Sequence, residues 1–150
     1  MRISQKCQYA LRAIFELAKR SGQGPVKISE IAKVQAIPPR FLEVILSQLK
    51  QAGFVDSQRG NEGGYFLVRD PQTLSVGDVI RFVHGSIGPV ECVFGEQEDK
   101  KCPLYGNCVF LPMWKVAQQA VLDVYDKTTF QDLVEQDRQR ADRYVPGYAI

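Results

Sequence analysis

Three of the four cysteines in this 150-residue chain, Cys92, Cys102 and Cys108, fall in one short stretch rich in glycine, proline and acidic residues. Thiolates on irregular backbone are soft ligands that suit iron–sulfur clusters, copper(I) or zinc, and they are also nucleophiles for disulfide exchange. Nine residues separate Cys92 from Cys102 and five separate Cys102 from Cys108. Neither interval is the Cys-x-x-Cys of a zinc knuckle or a thioredoxin-like redox site, so spacing points to metal-binding or redox thiols without choosing between them. The sole histidine, His84, follows an apolar stripe and has no nucleophile or second histidine nearby. A structural role is expected for it, and no catalytic constellation stands out, so the expectation is a protein that is not an enzyme.

Charge divides along the chain. Residues 1–70 carry 11 Lys/Arg against 6 Asp/Glu, whereas residues 71–150 carry 8 against 11. The basic half therefore has the better claim on a polyanion. The opening Met-Arg-Ile-Ser-Gln-Lys lacks the apolar core of a signal peptide, and no apolar run is long enough to span a bilayer. The expectation is a cytoplasmic protein with no membrane partner, in a compartment where clustered thiols bind metal or do redox chemistry more often than they form structural disulfides.

The elements that must position these thiols follow from periodicity. Ile3, Cys7, Ala10, Leu11, Ile14, Phe15 and Ala18 recur every three or four residues, which predicts a first helix ending near Ser21-Gly22. Ile28 to Val34 predicts a short second helix with Ser29 as N-cap, and Pro38-Pro39 stops it and opens a third through Phe41, Leu42, Ile45, Leu46 and Leu49. Phe54–Gln58 and Tyr65–Val68 are β-prone runs around the glycine-rich tip Arg59-Gly60-Asn61-Glu62-Gly63-Gly64. A short helix, a tight turn, a longer amphipathic helix and a hairpin form a winged helix-turn-helix.

That order suggests how double-stranded DNA would be read. The third helix can enter the major groove, where Glu43 could accept from cytosine N4 and Arg40 reach phosphate or guanine. Arg59, at the wing tip, can enter a narrow minor groove.

Ser75-Val76-Gly77-Asp78 has the form of a capping box that opens a fourth helix ending at Gly85. Pro112 can start a long helix with a coiled-coil-like seam at Met113, Ala117, Ala120, Val121 and Val124. The winged domain already has its own apolar stripes, so this extra amphipathic helix is expected to bury itself against a second copy. A homodimer would present two recognition helices to a near-palindromic operator. Thr129 to Asp132 caps a short last helix. The fold class is thus mainly α with a small β-hairpin wing: a winged helix-turn-helix plus a long dimerisation helix. Expected boundaries are 1–84 for the winged domain, 85–111 for the cysteine-rich segment, 112–136 for the dimerisation helix and short C-terminal helix, and 137–150 for a solvated tail.

The chain resembles the IscR/NsrR family of bacterial winged-helix regulators over nearly its whole length. The resemblance is carried by Met1-Arg2-Ile3, Tyr9-Ala10, Ile28-Ser29-Glu30-Ile31-Ala32, Phe41-Leu42-Glu43, Gly53-Phe54-Val55, Arg59-Gly60, Gly63-Gly64-Tyr65, Val76 to Ile80, and the three cysteines ahead of Trp114. It implies a homodimeric transcription factor whose Cys92, Cys102 and Cys108 hold an iron–sulfur cluster, most often 2Fe–2S and in some members 4Fe–4S. It further implies that Glu43 and Arg59 help read the operator.

Two positions depart from the family pattern. One branch has a histidine three residues after the last cysteine, where this chain has Leu111; another has an aspartate near the N-terminus, where this chain has Gln8. The fourth ligand stays open among Cys7, Gln8, a loop acid such as Glu91 or Glu96, and an exogenous ligand. Cys7 lies on the apolar stripe of the first helix, which favours a core residue. The leading expectation is a regulator that senses iron–sulfur, redox or reactive small-molecule status. The alternatives are a metal-free thiol-switch regulator and, from a different class, a thiol-disulfide oxidoreductase.

Overall fold

The computed structural model describes residues 2–94 and 102–143. Six α-helices and one hairpin appear among them: α1 (Gln5–Lys19), α2 (Ile28–Gln35), α3 (Pro39–Gln51), β1 (Val55–Gln58), β2 (Gly64–Leu67), α4 (Val76–His84), α5 (Leu111–Lys127) and α6 (Phe130–Arg143). The charged run 96–101, with the candidate ligand Glu96, lies outside the described residues.

Local chemistry sets the ends of these elements. Ser4 caps α1, its hydroxyl oxygen accepting from the Cys7 amide at 3.2 Å. α2 starts earlier than the Ser29 cap expected for it: Lys27 is its N-cap and offers no side-chain cap, so Ser29 is already inside the helix. Ala36 ends α2 in the left-handed region, φ 51°. Pro39 is the first residue of α3, where a missing N–H costs nothing.

The expected capping box opens α4, with Ser75 and Asp78 exchanging bonds of 2.9 and 3.1 Å. Burial works against the Asp78 charge, but the bonds from Ser75 and Arg81 prevail and hold its carboxyl below the usual value. A second box opens α6, with Thr129 and Asp132 exchanging bonds of 3.0 and 3.1 Å.

β1 and β2 pair antiparallel, Val55 opposite Leu67 and Gln58 opposite Gly64. Val26 adds a bridge to Tyr65, which ties the hairpin to the α1–α2 connection. The core under α3 holds Leu42, Ile45, Leu46 and Leu49 against Ile14 and Leu17 of α1, with Phe54, Leu74 and Val79. Phe41 departs from its expected place on that stripe, because it is 62% exposed. Leu42 lies on one stripe with Ile45, Leu46 and Leu49, at spacings of three, four and seven residues, and Phe41, one position earlier, falls outside it.

One charge enters the core. Glu16, on α1, accepts from Arg20 at 2.9 Å and from the Gln35 amide at 2.8 Å, so both carboxylate oxygens are satisfied and α2 is tied to α1. α6 is longer than the short helix expected, running to Arg143, and it returns to the winged domain. Phe130 and Val134 are buried in the main core, and Lys19 meets Asp137 at 3.2 Å.

Candidate functional site

α3 presents two unlike faces. Leu42, Ile45, Leu46 and Leu49 point inward, while Arg40, Phe41, Glu43 and Val44 are all exposed. Two of the exposed residues are large and apolar, with Val44 at 56%. Phe41 is not loose: its ring centroid lies 6.5 Å from that of Tyr9, and the Arg12 guanidinium sits 4.9 Å from the centre of the Tyr9 ring. Arg12 is itself fixed by a 2.8 Å bond to the carbonyl of Gln35. Arg59 is exposed in the turn between β1 and β2. Arg40, Glu43 and Arg59 therefore lie on the helix face and the wing tip where the sequence places them. Phe41 and Val44 join that face without having been expected there.

The three cysteines occupy the connection from α4 to α5. Cys92 is in a 3-10 turn, Glu91–Val93, and Cys108 stands three residues before the first residue of α5. Cys92, Cys102 and Cys108 are free and half-buried. Their chemistry fits a thiolate-bound cluster, yet the chain alone does not gather them: among the described residues no three His, Cys, Asp or Glu side chains are grouped to hold a metal ion.

Cys7 is elsewhere. It is 0% exposed in a small cluster with Ile80 and Ile87, and burial pushes its thiol up to about 11. That environment makes it a poor thiolate and bears out the core reading. Gln8 is exposed, its amide donating to the carbonyl of Ile3 at 3.2 Å. His84 has the structural role expected of it, its Nε2 accepting from the Ser4 amide at 3.1 Å and joining the end of α4 to the start of α1.

α5, about 25 Å long by its 17 residues, contains no buried residue. Its C-terminal end is nonetheless well anchored. The Val76 amide donates to the Thr128 carbonyl at 2.9 Å, and Asp126 meets Arg81 at 2.7 Å. A side chain at Gly77 would meet the Asp126 carboxylate, so the ion pair with Arg81 would have to shift to make room for it. Toward its other end, Gln118 donates from Nε2 to the carbonyls of Ile87 at 2.8 Å and Val93 at 2.7 Å. Nothing in the sequence marks this residue, because its partners depend on the path of the connecting segment. Met113, Val116 and Val124 remain exposed along α5. Beside Val124 an open groove of about 590 Å³ is lined by Leu11, Phe15, Phe130 and Leu133, with Arg12 and Arg140.

Among the described residues no helix is long and apolar enough to cross a membrane. Comparison with known proteins gives a family and several relatives. The family model described as "Rrf2: Iron-dependent Transcriptional regulator" matches residues 3–136. The transcriptional regulator CymR of Bacillus subtilis is 35% identical over 145 residues, covering 97% of this chain and 98% of its own. The solved structure of B. subtilis CymR, titled the global cysteine regulator, has a TM-score of 0.74 at 36% identity over 91% of this chain and 98% of that one. The structure of T. potens IscR has a TM-score of 0.76 at 30% identity, covering 99% and 95%.

Proposed function

The chain belongs to the Rrf2 family of transcriptional regulators, and on that premise we propose that it acts in the cytoplasm as a homodimer on a near-palindromic operator, sensing iron–sulfur or redox status through Cys92, Cys102 and Cys108. The observation that carries this reading is α5. A 17-residue helix with no buried residue leads directly out of the three-cysteine segment and ends anchored on the winged domain. Such a helix is completed by association, and a second copy laid against its exposed face and the adjoining groove would bury both.

Division of labour on the DNA follows from exposure. Arg40 supplies charge to phosphate or guanine, Glu43 accepts from cytosine, and Arg59 enters the minor groove. Phe41 and Val44 add apolar surface that can meet thymine methyl groups.

Cys92, Cys102 and Cys108 would hold the iron–sulfur cluster, of the 2Fe–2S type that the family resemblance favours. When bound, it supplies a redox-active centre sensitive to oxidants and reactive small molecules. Grouping three thiols that the chain holds apart reshapes the connection between α4 and α5. Because α5 is fixed to α4 at its far end by Asp126 and Arg81, that change is passed to the winged domain. The test is the absorption spectrum of anaerobically purified protein made with ample iron, with operator binding measured before and after cluster removal. A visible iron–sulfur spectrum that disappears in Cys92→Ser, with altered operator affinity, is the expected result. Colourless protein carrying stoichiometric zinc overturns the iron–sulfur assignment.

A second reading is favoured by the similarity to a protein titled a global cysteine regulator and by three free, half-buried thiols. In it, two cysteines form a disulfide and give two electrons and two protons to a peroxide-class oxidant, releasing water. Reversible, peroxide-dependent operator binding by iron-free protein would select this reading.

A further inference from the structure

We propose that Gln118 is the positioning residue through which α5 reads the Cys92 turn, an inference that rests on the sensor function proposed above. Both hydrogens of its Nε2 are used, one on the carbonyl of Ile87 and one on that of Val93, at 2.8 and 2.7 Å. These carbonyls belong to residues 31 and 25 positions back in the chain, and the second immediately follows Cys92. Two acceptors must converge on one nitrogen, which only a narrow set of paths from Ile87 to Val93 allows.

The turn is compact in its own right. The Ser86 hydroxyl donates to the Phe94 carbonyl at 3.3 Å, closing its ends. A Cβ at Gly88 would lie 2.8 Å from Phe94 Cε1 and 2.9 Å from Val93 Cγ2, so both side chains pack closely over the backbone there and would have to shift to admit another. Ile87 and Val93 are buried, and Ile87 packs with Cys7 of α1 and Ile80 of α4. The turn therefore has an apolar seat on the winged domain and, among the described residues, a polar tie to α5 made by Gln118.

This arrangement makes Gln118 conditional on Cys92. Bringing the Cys92 sulfur together with Cys102 and Cys108, which are not grouped, would move the turn and with it the two carbonyls that Gln118 holds. Such a shift lengthens or bends both Nε2 bonds, and hydrogen bonds weaken steeply outside their preferred geometry, so the clamp has a held and a released arrangement.

The test uses the full chain with Gln118→Leu, which keeps side-chain bulk without donors, and Gln118→Glu, which turns an oxygen toward the two carbonyls. Native sedimentation and thermal unfolding first establish that each variant folds and associates as the wild type does. In reduced, iron-free protein, iodoacetamide labelling resolved by mass spectrometry should show Cys92 alkylated about three- to tenfold faster in both variants, through freer local opening. Cys102 and Cys108 serve as internal controls and should be unchanged. The second measurement is the ratio of operator affinities of cluster-loaded and iron-free protein, expected at about 5–150-fold for the wild type and near one for Gln118→Leu at an unchanged visible spectrum.

Unchanged Cys92 labelling overturns the proposal, because the clamp then does not hold the turn. Faster labelling with a wild-type affinity ratio also overturns it, because Gln118 then holds the turn without conveying its state. A wild-type ratio of one instead sinks the sensor function, and the inference with it. That failure is distinct from the other two, in which the wild-type ratio is large.

Discussion

α3 and α5 are both amphipathic helices, yet α3 buries four of its 13 residues within its own chain while α5, with 17, buries none. The difference lies in what faces them. α3 lies over α1 and the hairpin, so each apolar side chain on its inner face finds neighbours at once. α5 touches the winged domain through Val121, Leu122 and Tyr125 and leaves Met113, Val116 and Val124 in solvent. Burial completed within the chain stabilises the monomer; burial left for a partner contributes only on association. The same type of substitution should therefore give different readouts in the two regions.

The largest effect is expected in the self-contained region. Phe130 is fully buried where α6 returns to the core. Phe130→Ala should lower folding stability by about 3–5 kcal/mol, through lost transfer energy and the cavity left behind. Urea denaturation checks this, and a loss below about 1 kcal/mol would mean that the site collapses freely and α6 is not part of the core. Next comes α5. Val116, 70% exposed, should tolerate Asp with little change in the unfolding of the monomer. Association should weaken by about 2–4 kcal/mol if Val116 lies in the centre of the dimer seam. Sedimentation equilibrium reads this directly, and an unchanged dimer would place the interface elsewhere.

The contrast also marks what could be read in the sequence. Features set by local backbone chemistry were legible: Pro39 at the start of α3, the Ser75–Asp78 box, the glycine-rich wing tip and the onset of α5 near Pro112. Those that depend on which side of a helix meets another element were not. Phe41 is apolar and borders the stripe of Leu42, Ile45, Leu46 and Leu49, and how wide a stripe α1 covers is what leaves it outside. The Asp, Arg and Gln residues after Gln136 suggest a solvated tail, yet pairs such as Arg140 with Asp137, 3.5 Å apart, accompany the helix to Arg143. Gln118 is a surface glutamine until the Ile87–Val93 turn is folded beside it. For the candidate site, residue types and order were legible, and the grouping of the thiols was not.

Cys7 sharpens the comparison where the two regions meet, since it packs against Ile80 and near Val121 of α5. Its thiol is pushed up from 9.0 to about 11 by burial. Below pH 9 it is protonated in both folded and unfolded chains, so its contribution is fully present. Above that, the unfolded chain releases the proton first, and stability should fall by at most about 1.4 kcal/mol per unit between pH 9 and 11. Cys7→Ala should remove that part of the slope and cost under about 1.5 kcal/mol at neutral pH. It should also leave any iron–sulfur spectrum intact. A folded, dimeric Cys7→Ala protein without its cluster would make Cys7 a ligand rather than a core residue.

The smallest expected effect tests the exception within the self-contained region. Phe41 and Val44 are exposed on a helix whose other face is fully packed, and Phe41 is steadied by Tyr9, which Arg12 covers. Exposed apolar surface on a recognition helix has a natural counterpart in the thymine 5-methyl group, the apolar feature of the major-groove edge. Uracil has the same hydrogen-bonding groups and lacks only that methyl, so operators with deoxyuridine at single thymines isolate the contact. At the right position the substitution should weaken wild-type binding by about 1 kcal/mol or less, the scale of one buried methyl group. Phe41→Ala should weaken binding to thymine DNA by a similar amount and become indifferent to uracil there. Glu43→Ala should keep the full thymine preference, because it reads a different base edge. If Phe41→Ala still discriminates thymine from uracil at every position, the exposed ring serves only to brace α3 against Tyr9, and the reading of this face falls to Arg40 and Glu43 alone.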